Sequence, residues 1–143
     1  MTSRPVTSQT VEVGMALPPL TARITRETLV RYAGASGDLN PIHYSDHAAA
    51  SLGLPGVVAH GMLTMGTAVR AVTDWLGPSE LRSYGVRFTK PVVVPDDGIG
   101  VELQVLATVT AIGDEGVTFT LEATCAGEKV LGAAKVVVGP GPA

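Results

Sequence analysis

The sequence predicts an α+β fold in which one curved antiparallel sheet wraps around one long buried helix. Residues 62–76 carry apolar side chains at helical spacing, with Arg70 and Asp74 as their only charges, and so apolar a helix is expected to be buried. From Ser83 onward, apolar side chains recur at every second residue, which is typical of strands with one buried face. Because short turns join these strands, we expect an antiparallel sheet whose apolar face packs on the helix.

The composition indicates one folded domain over residues 1–143, of which residues 1–9 are expected to be loose. Hydrophobic residues make up 45% of the chain and charged residues 16%, which excludes disorder. The net charge of −3 gives no basic footprint for nucleic acid. The sequence shows neither a membrane-spanning stretch nor a signal peptide, so we expect a cytoplasmic protein with no membrane partner. The one cysteine, Cys125, excludes an internal disulfide and is expected to be a small buried side chain.

A strand is predicted near the start of the chain. Val11, Val13 and Met15 alternate with polar or small residues, as in a strand with one buried face. The prolines within residues 17–20 interrupt any regular structure.

Two candidate N-caps mark helices in the first half of the chain. Thr25, with Glu27 in the following turn, predicts a helix over residues 26–34. Its partly buried side chains are predicted to be Leu29, Val30 and Tyr32. Ser45 predicts a short helix over residues 46–52, on which His47 is expected to face solvent.

The long helix and the later strands follow from periodicity. The apolar face of the helix is predicted to carry Met62, Met65, Val69, Val72, Thr73 and Leu76, and Gly77–Pro78 is expected to end it. Strands are predicted over residues 83–89, 101–111, 117–125 and 130–138. Turns are predicted at residues 113–116 and 126–129.

A polar run, Ser36, Asp38 and Asn40, ends at His43 between two apolar segments. Pro41 fixes its own φ and disfavours the α region for Asn40, so a bent, non-helical loop is expected. Such a bend can bring the Asp38 carboxylate to the His43 imidazole, and the two would form a general acid–base pair. The alternative is an Asx-turn, in which Asp38 or Asn40 bonds to nearby backbone and His43 is an ordinary loop residue.

The residues Ser-Gly-Asp-Leu-Asn-Pro-Ile-His at positions 36–43, with Ala49 beyond them, closely resemble the hydratase-2 motif. That motif marks MaoC-like dehydratases and (R)-specific enoyl-thioester hydratases. Ala-His-Gly-Met-Leu at positions 59–63 is similar to a second block of the family, and the resemblance runs from about Val11 to Val138. It is closest to small bacterial (3R)-hydroxyacyl-thioester dehydratases. Ala35 departs from the motif, which usually has Val, Leu, Ile or Gly at that position.

The resemblance implies the hot-dog fold and a fatty acyl thioester substrate, carried on coenzyme A or on acyl carrier protein. It implies the reversible addition of water to a trans-2-enoyl thioester, which gives the (3R)-3-hydroxyacyl thioester. His43 is expected to act at C2 and Asp38 at the hydroxyl group, although the reverse assignment stays open because such a pair titrates as a unit. The backbone N–H of Gly61 is expected to stabilise the thioester oxyanion.

Three further residues are candidates for the surroundings of this pair. Ser36 and Asn40 are expected to support the loop or to line the substrate pocket. His60 could line the pocket, join the loop to the helix or pack, and a structural role is favoured. No metal is expected on Asp38, His43 and His60, because a tight His-x-His or His-x-x-x-His pair is lacking. No organic cofactor is expected.

Two other functions remain open at this stage. A thioesterase on the same fold would use a carboxylate to direct water at the carbonyl carbon. A non-catalytic acyl-binding subunit would need no acid–base pair. The Asp38–His43 pair favours the dehydratase over both.

We also expect an obligate dimer whose pocket walls come from both chains. One helix can cover only part of the sheet, and a remaining apolar patch usually marks an interface. The low charge and the apolar run Val136, Val137 and Val138 indicate the same. A homodimer is expected first, because this chain carries both members of the pair. A heterodimer with a paralogue that lacks the motif is the alternative.

Overall fold

The computed structural model describes residues 11–76 and 81–139, so the expectations for residues 1–9 and for Gly77–Pro78 lie outside the described residues. The elements in chain order are β1 (Leu20–Ile24), α1 (Arg26–Ser36), a 3-10 turn (Pro41–His43), α2 (Asp46–Ser51), α3 (Gly61–Ala68), α4 (Arg70–Leu76), β2 (Leu81–Phe88), β3 (Val101–Gly113), β4 (Gly116–Cys125), β5 (Glu128–Lys129) and β6 (Leu131–Val138). None of the helices in this part of the chain is long and apolar enough to cross a membrane.

The strands form one antiparallel sheet in the order β1-β3-β4-β6-β2, with the short β5 paired to β4. Its inner face packs on α3 and α4, which confirms the predicted α+β arrangement. β4 shows the predicted alternation, because all of its inward side chains are buried: Val117, Phe119, Leu121, Ala123 and Cys125. The strands β3, β4 and β6 run as the expected meander. β2 crosses over to the far edge, beside β6.

The prediction of a strand over Val11, Val13 and Met15 is wrong. Residues 14–17 do run beside β3, where the N–H of Gly14 bonds to the carbonyl of Val109. However, Gly14 has φ +93, and the turn there leaves Val13 exposed while Val11 is buried. The first strand, β1, begins only after Pro18 and Pro19, because proline has no N–H for the ladder.

The helix predicted from Thr25 is confirmed and extends two residues further, to Ser36. The hydroxyl of Thr25 accepts from the N–H of Thr28, and the Thr28 hydroxyl accepts in return from the N–H of Thr25. Gly37 ends α1 with φ +76. One detail is wrong: Val30 is 64% exposed, because the buried stripe of α1 lies on Leu29 and Ala33 instead.

The long helix is broken at Val69, and the predicted buried face is confirmed only at Val72 and Leu76. The hydroxyl of Thr67 donates to the carbonyl of Leu63 at 2.7 Å, and Tyr84 Oη donates to the carbonyl of Met65 at 2.6 Å. These side chains compete for carbonyls of the turn before Val69, which bends the helix. The buried residues are Thr64, Ala68, Ala71, Val72 and Leu76, whereas Met62 is 61% exposed.

β2 is an edge strand whose inner face stays partly open. Leu81 is 44% exposed and Phe88 53%, while Tyr84 and Val86 are half-buried. β6 instead lies between β4 and β2, with Val136 and Val138 buried. The valine run 136–138 therefore lies inside the sheet and does not indicate an interface, whereas β2 leaves apolar surface open.

Candidate active site

The polar run forms a ladder of bonds between side chains and backbone, each spanning two residues. The hydroxyl of Ser36 accepts from the N–H of Asp38 at 3.1 Å. Oδ1 of Asp38 accepts from the N–H of Asn40 at 3.2 Å, and Oδ1 of Asn40 accepts from the N–H of Ile42 at 3.2 Å. The predicted Asx-turns are therefore observed, and they leave Oδ2 of Asp38 free of this ladder. The other half of that alternative is wrong, because His43 is not an ordinary loop residue but is buried beside Asp38.

The expectation of a wholly non-helical loop is wrong at its end. Pro41 opens a single 3-10 turn, where its missing N–H costs nothing. The N–H of His43 bonds to the carbonyl of Asn40 at 3.1 Å and closes the turn. This turn carries the imidazole of His43 back over the loop.

The structure brings His43 and Asp38 together. Nε2 of His43 lies 3.9 Å from Oδ2 of Asp38, which is too long for a hydrogen bond. The imidazole is 8% exposed, and its Nδ1 lies 2.7 Å from the carbonyl oxygen of Val58. A carbonyl only accepts, so Nδ1 carries a proton, and in the neutral ring Nε2 presents its lone pair beside the carboxylate. The carboxylate side chain is 51% exposed.

His60 lies behind this pair and is 1% exposed. Its ring stacks on that of His43 with centroids 3.8 Å apart, and Tyr32 meets its edge at 4.7 Å. Nε2 of His60 donates to the backbone carbonyl of Asp38 at 3.2 Å. Burial lowers the pKa of His60, so its ring is neutral near pH 7. His60 thus contacts both members of the pair without reaching solvent.

Asp38, His43 and His60 each offer one donor atom, and the three atoms lie within 4.8 Å of one another. The donor types suit zinc, but the arrangement suits it poorly. The two rings are nearly parallel, at 21°, so their lone pairs do not converge as tetrahedral ligands must. Each ring already donates from its other nitrogen to a carbonyl. The cluster is therefore better arranged for proton transfer than for a metal.

Gly61 is the first residue of α3, as predicted. His60 is the N-cap but makes no side-chain cap bond, so the first N–H groups of α3 have no helical partner. Gly61 also lines an open pocket of about 290 Å³ together with Ala59, Thr64, Phe88, Thr89, Lys90, Pro91 and Val130. A Cβ placed on Gly61 would lie 3.0 Å from Cζ of Phe88. The glycine is thus needed for the close approach of the β2 aromatic ring.

Three contributors to the site had no signal in the motif. The first is the Val58 carbonyl, which fixes the tautomer of His43. The second is Asp46, which holds the segment before Val58. Oδ1 of Asp46 accepts from Arg26 at 2.8 Å and from the Val57 N–H at 3.3 Å. The hydrogen bond from Arg26 is the main cause that lowers the pKa of Asp46. The third is Phe88, whose ring packs against Gly61, and its place in an alternating strand was a possible signal.

A helix against one face of an antiparallel sheet, with this loop at the helix start, is the hot-dog arrangement. The model of the MaoC like domain matches residues 8–125, and the chain belongs to this family. His47 and Cys125 lie apart from the site: His47 is exposed on α2, and Cys125 is buried in β4, both as predicted.

Named relatives match about half of the chain. The 3-hydroxyacyl-thioester dehydratase X of Mycobacterium tuberculosis is 48% identical over 81 residues, which cover 55% of this chain and 28% of that protein. A probable enoyl-CoA hydratase 2 of Dictyostelium discoideum is 35% identical over 82 residues, with the same coverage of 55% and 28%. A solved MaoC-like dehydratase superposes with a TM-score of 0.87 and 32% identity, covering 97% of this chain and 44% of that one. The chain is thus similar to part of each longer protein.

Proposed function

We propose that this protein is a hydro-lyase that interconverts trans-2-enoyl thioesters and (3R)-3-hydroxyacyl thioesters of fatty acids, on coenzyme A or acyl carrier protein. The observation that carries the proposal is the position of His43 Nε2, 3.9 Å from Oδ2 of Asp38. His60 bonds to the Asp38 carbonyl and directly precedes Gly61 at the start of α3, which connects this pair to Gly61. The relatives named as a dehydratase and as a hydratase support the same reaction class.

In dehydration, Nε2 of His43 takes the proton from C2, and its electron pair forms the C2–C3 double bond as the C3–O bond breaks. Protonated Asp38 gives its proton to the leaving hydroxyl group, which departs as water. Hydration runs these steps in reverse. His43 can accept the proton only as the neutral ring, and the bond from Nδ1–H to Val58 holds that tautomer.

Loss of the C2 proton moves negative charge onto the thioester oxygen. The unpaired N–H of Gly61 at the start of α3 would donate to that oxygen, and the helix dipole has the matching sign there. The absent side chain lets the thioester come close to this N–H. His60 would serve as a support, because it joins the Asp38 backbone to the helix start and backs the His43 ring.

We further propose that the working form is a dimer joined along β2, and that the pocket is completed by the second chain. The support is the open inner face of β2, with Phe88 both exposed to solvent and in contact with Gly61. A homodimer is the first expectation. A heterodimer with a paralogue that lacks the motif is the second.

A panel of enoyl thioesters of different chain length, on coenzyme A and on carrier protein, tests the reaction. The proposed lyase consumes the enoyl absorbance and releases no free thiol. A thioesterase would release thiol and leave the enoyl group intact, which would contradict the proposal. Turnover of neither kind, with the purified dimer and every substrate, would also contradict it.

A further inference from the structure

Eight of the cationic side chains in the described residues fall into two groups, according to whether a carboxylate lies beside them. Four arginines that precede β2 in the chain each form a salt bridge: Arg23 with Glu102, Arg26 with Asp46, Arg31 with Glu27 and Arg70 with Asp74. Four cations from β2 onward form no salt bridge with any described residue: Arg87, Lys90, Lys129 and Lys135. Because these four cations are exposed and have no carboxylate partner among the described residues, they are available to an anionic partner.

Two of the unpaired cations lie on adjacent strands. Arg87 in β2 is paired with Gly132 of β6, and Lys135 of β6 is paired with Gly85, two residues before Arg87. A Cβ on Gly132 would meet the side chains of both Arg87 and Thr89, so Arg87 and Thr89 share one face of the sheet.

The other two unpaired cations connect this face to the pocket. The hydroxyl of Thr89 donates to the carbonyl of Lys129 at 2.6 Å, which places β5 beside the end of β2. Lys90 follows Thr89 and lines the pocket that contains Gly61. We call Arg87, Lys90, Lys129 and Lys135 the basic surface.

All four members of the basic surface are exposed. The carboxylates closest in the strand pairing are Glu128, beside Lys129 in β5, and Glu122, two residues from the β4 partner of Lys135. Neither carboxylate comes within 4.0 Å of a described cation of the basic surface. The surface therefore keeps a positive excess next to the pocket mouth.

We propose that the basic surface docks an acidic carrier protein, which presents the acyl thioester to the pocket at Gly61. This rests on the proposed function, since the chain must enter the pocket while the carrier stays outside it. Arg87, Lys129 and Lys135 lie on three different strands, Lys90 follows β2, and all four are exposed. Such a spread suits the broad surface of a protein, whereas a nucleotide is bound in a concave site. Charges at such a rim speed encounter and act on KM more than on kcat.

The test compares one enoyl chain on two carriers, an acidic acyl carrier protein and coenzyme A. The double variant Arg87→Gln/Lys129→Gln should lower kcat/KM about tenfold for the carrier-protein substrate, through KM. The coenzyme A substrate should change less than about twofold, since coenzyme A lacks the extended acidic surface that the basic surface is proposed to bind. The loss should vanish near 1 M salt, where the screening length is about 3 Å.

The matched control is Arg31→Gln/Arg70→Gln, which removes the same charge from exposed arginines that already have carboxylate partners. It should leave both substrates unchanged. An equal loss of kcat/KM in this control would show that the effect depends on net charge alone, and it would overturn the proposal. An equal loss with coenzyme A would make the cations a nucleotide phosphate site and overturn it as well.

A binding measurement separates this proposal from the proposed reaction. Calorimetry with a carrier protein that bears a saturated acyl chain requires no turnover. The Arg87→Gln/Lys129→Gln variant should bind this ligand at least fivefold more weakly than the unmodified chain, and the control variant should bind it equally well. Equal binding by all three chains would overturn the docking surface, whatever the chain does to enoyl thioesters.

Discussion

The loop over residues 36–43 and the edge strand β2 differ in how many of their groups find partners within one chain. In the loop, the ladder from Ser36 to Ile42 pairs each polar group with backbone two residues away. In β2, Leu81 and Phe88 stay about half exposed, and within residues 11–76 and 81–139 a single strand, β6, flanks them. The loop is a finished local structure, whereas β2 lacks a covering surface. The comparison suggests that one chain holds the acid–base pair and that two chains enclose the substrate.

The largest expected effect comes from the loop. Asp38→Asn and His43→Gln should each lower kcat for enoyl hydration by about 10²–10⁴, the usual worth of a positioned acid or base. The double variant should lose far less than the product of the two, because the groups act as one unit. His47→Gln, on the exposed face of α2, is the histidine control and should leave kcat unchanged. Near-normal turnover in either single variant would remove the pair from the mechanism.

The next effect tests the junction of loop, helix and β2. Gly61→Pro removes the N–H, while Gly61→Ala keeps it, and both place a Cβ about 3.0 Å from the ring of Phe88. The proline variant should lose about 3 kcal/mol of transition-state stabilisation relative to the alanine variant, measured as kcat/KM. Equal values for two folded variants would show that another donor holds the oxyanion.

A smaller effect tests β2. The unmodified chain should scatter light as about twice 14.7 kDa. Val86→Lys places an unpaired charge on the open inner face of β2 and should weaken dimer formation by about 1–3 kcal/mol. The dissociation constant of the dimer should then rise by about 5–150-fold. Activity should then fall with dilution sooner than in the unmodified chain. Thr118→Lys, on the outer side of β4, is the control. A fully active monomer would refute the shared pocket, and an inactive chain rescued by a paralogue would favour the heterodimer.

The smallest effect concerns stability and His60. Burial lowers the pKa of His60 below its ordinary 6.5. Just below pH 6.5 the His60 ring therefore binds a proton in the unfolded chain but stays neutral in the folded chain, which favours unfolding. This contribution to stability is therefore complete above about pH 6.5 and is lost as the pH falls. His60→Phe keeps a ring against His43 but cannot titrate, so its melting temperature should depend less steeply on pH between 7 and 5. Identical pH slopes would contradict the buried neutral state.

Activity measurements can also separate the two contacts of His60, the stack on His43 and the bond to the Asp38 carbonyl. His60→Phe keeps the stack on His43 and loses the bond to the Asp38 carbonyl, while His60→Gln can keep a donor and loses the ring. If His60 positions the pair, both variants should lower kcat about tenfold and leave KM nearly unchanged. A rise in KM with unchanged kcat would make it a pocket wall instead.

The parts that sequence predicts best are those whose causes are local. The alternation of β4 and the caps at Thr25 and Ser45 follow from spacing, and so does the approach of Asp38 to His43 through the bend at Pro41. The helix break had a distant cause, the bond from Tyr84 to the Met65 carbonyl, which spans 19 residues.

Other features were out of reach for a related reason. The carbonyl of Val58 is a backbone group, and every residue has one, so the sequence carries no sign that it fixes His43. The strand order decided that β6 is interior and β2 an edge, although both read as apolar alternation. Periodicity reports which residues share a face, and it does not report which strand stands beside which.

We propose that the loop over residues 36–43 adds water to one face of an enoyl thioester. The most direct measurement incubates the purified protein with a trans-2-enoyl thioester and resolves the enantiomers of the 3-hydroxyacyl product. One fixed pair, His43 and Asp38, can address one face only, so the account predicts the (3R) product almost alone, with its formation abolished by His43→Gln. Mainly (3S) product, a racemic mixture or free thiol in place of the alcohol would contradict it.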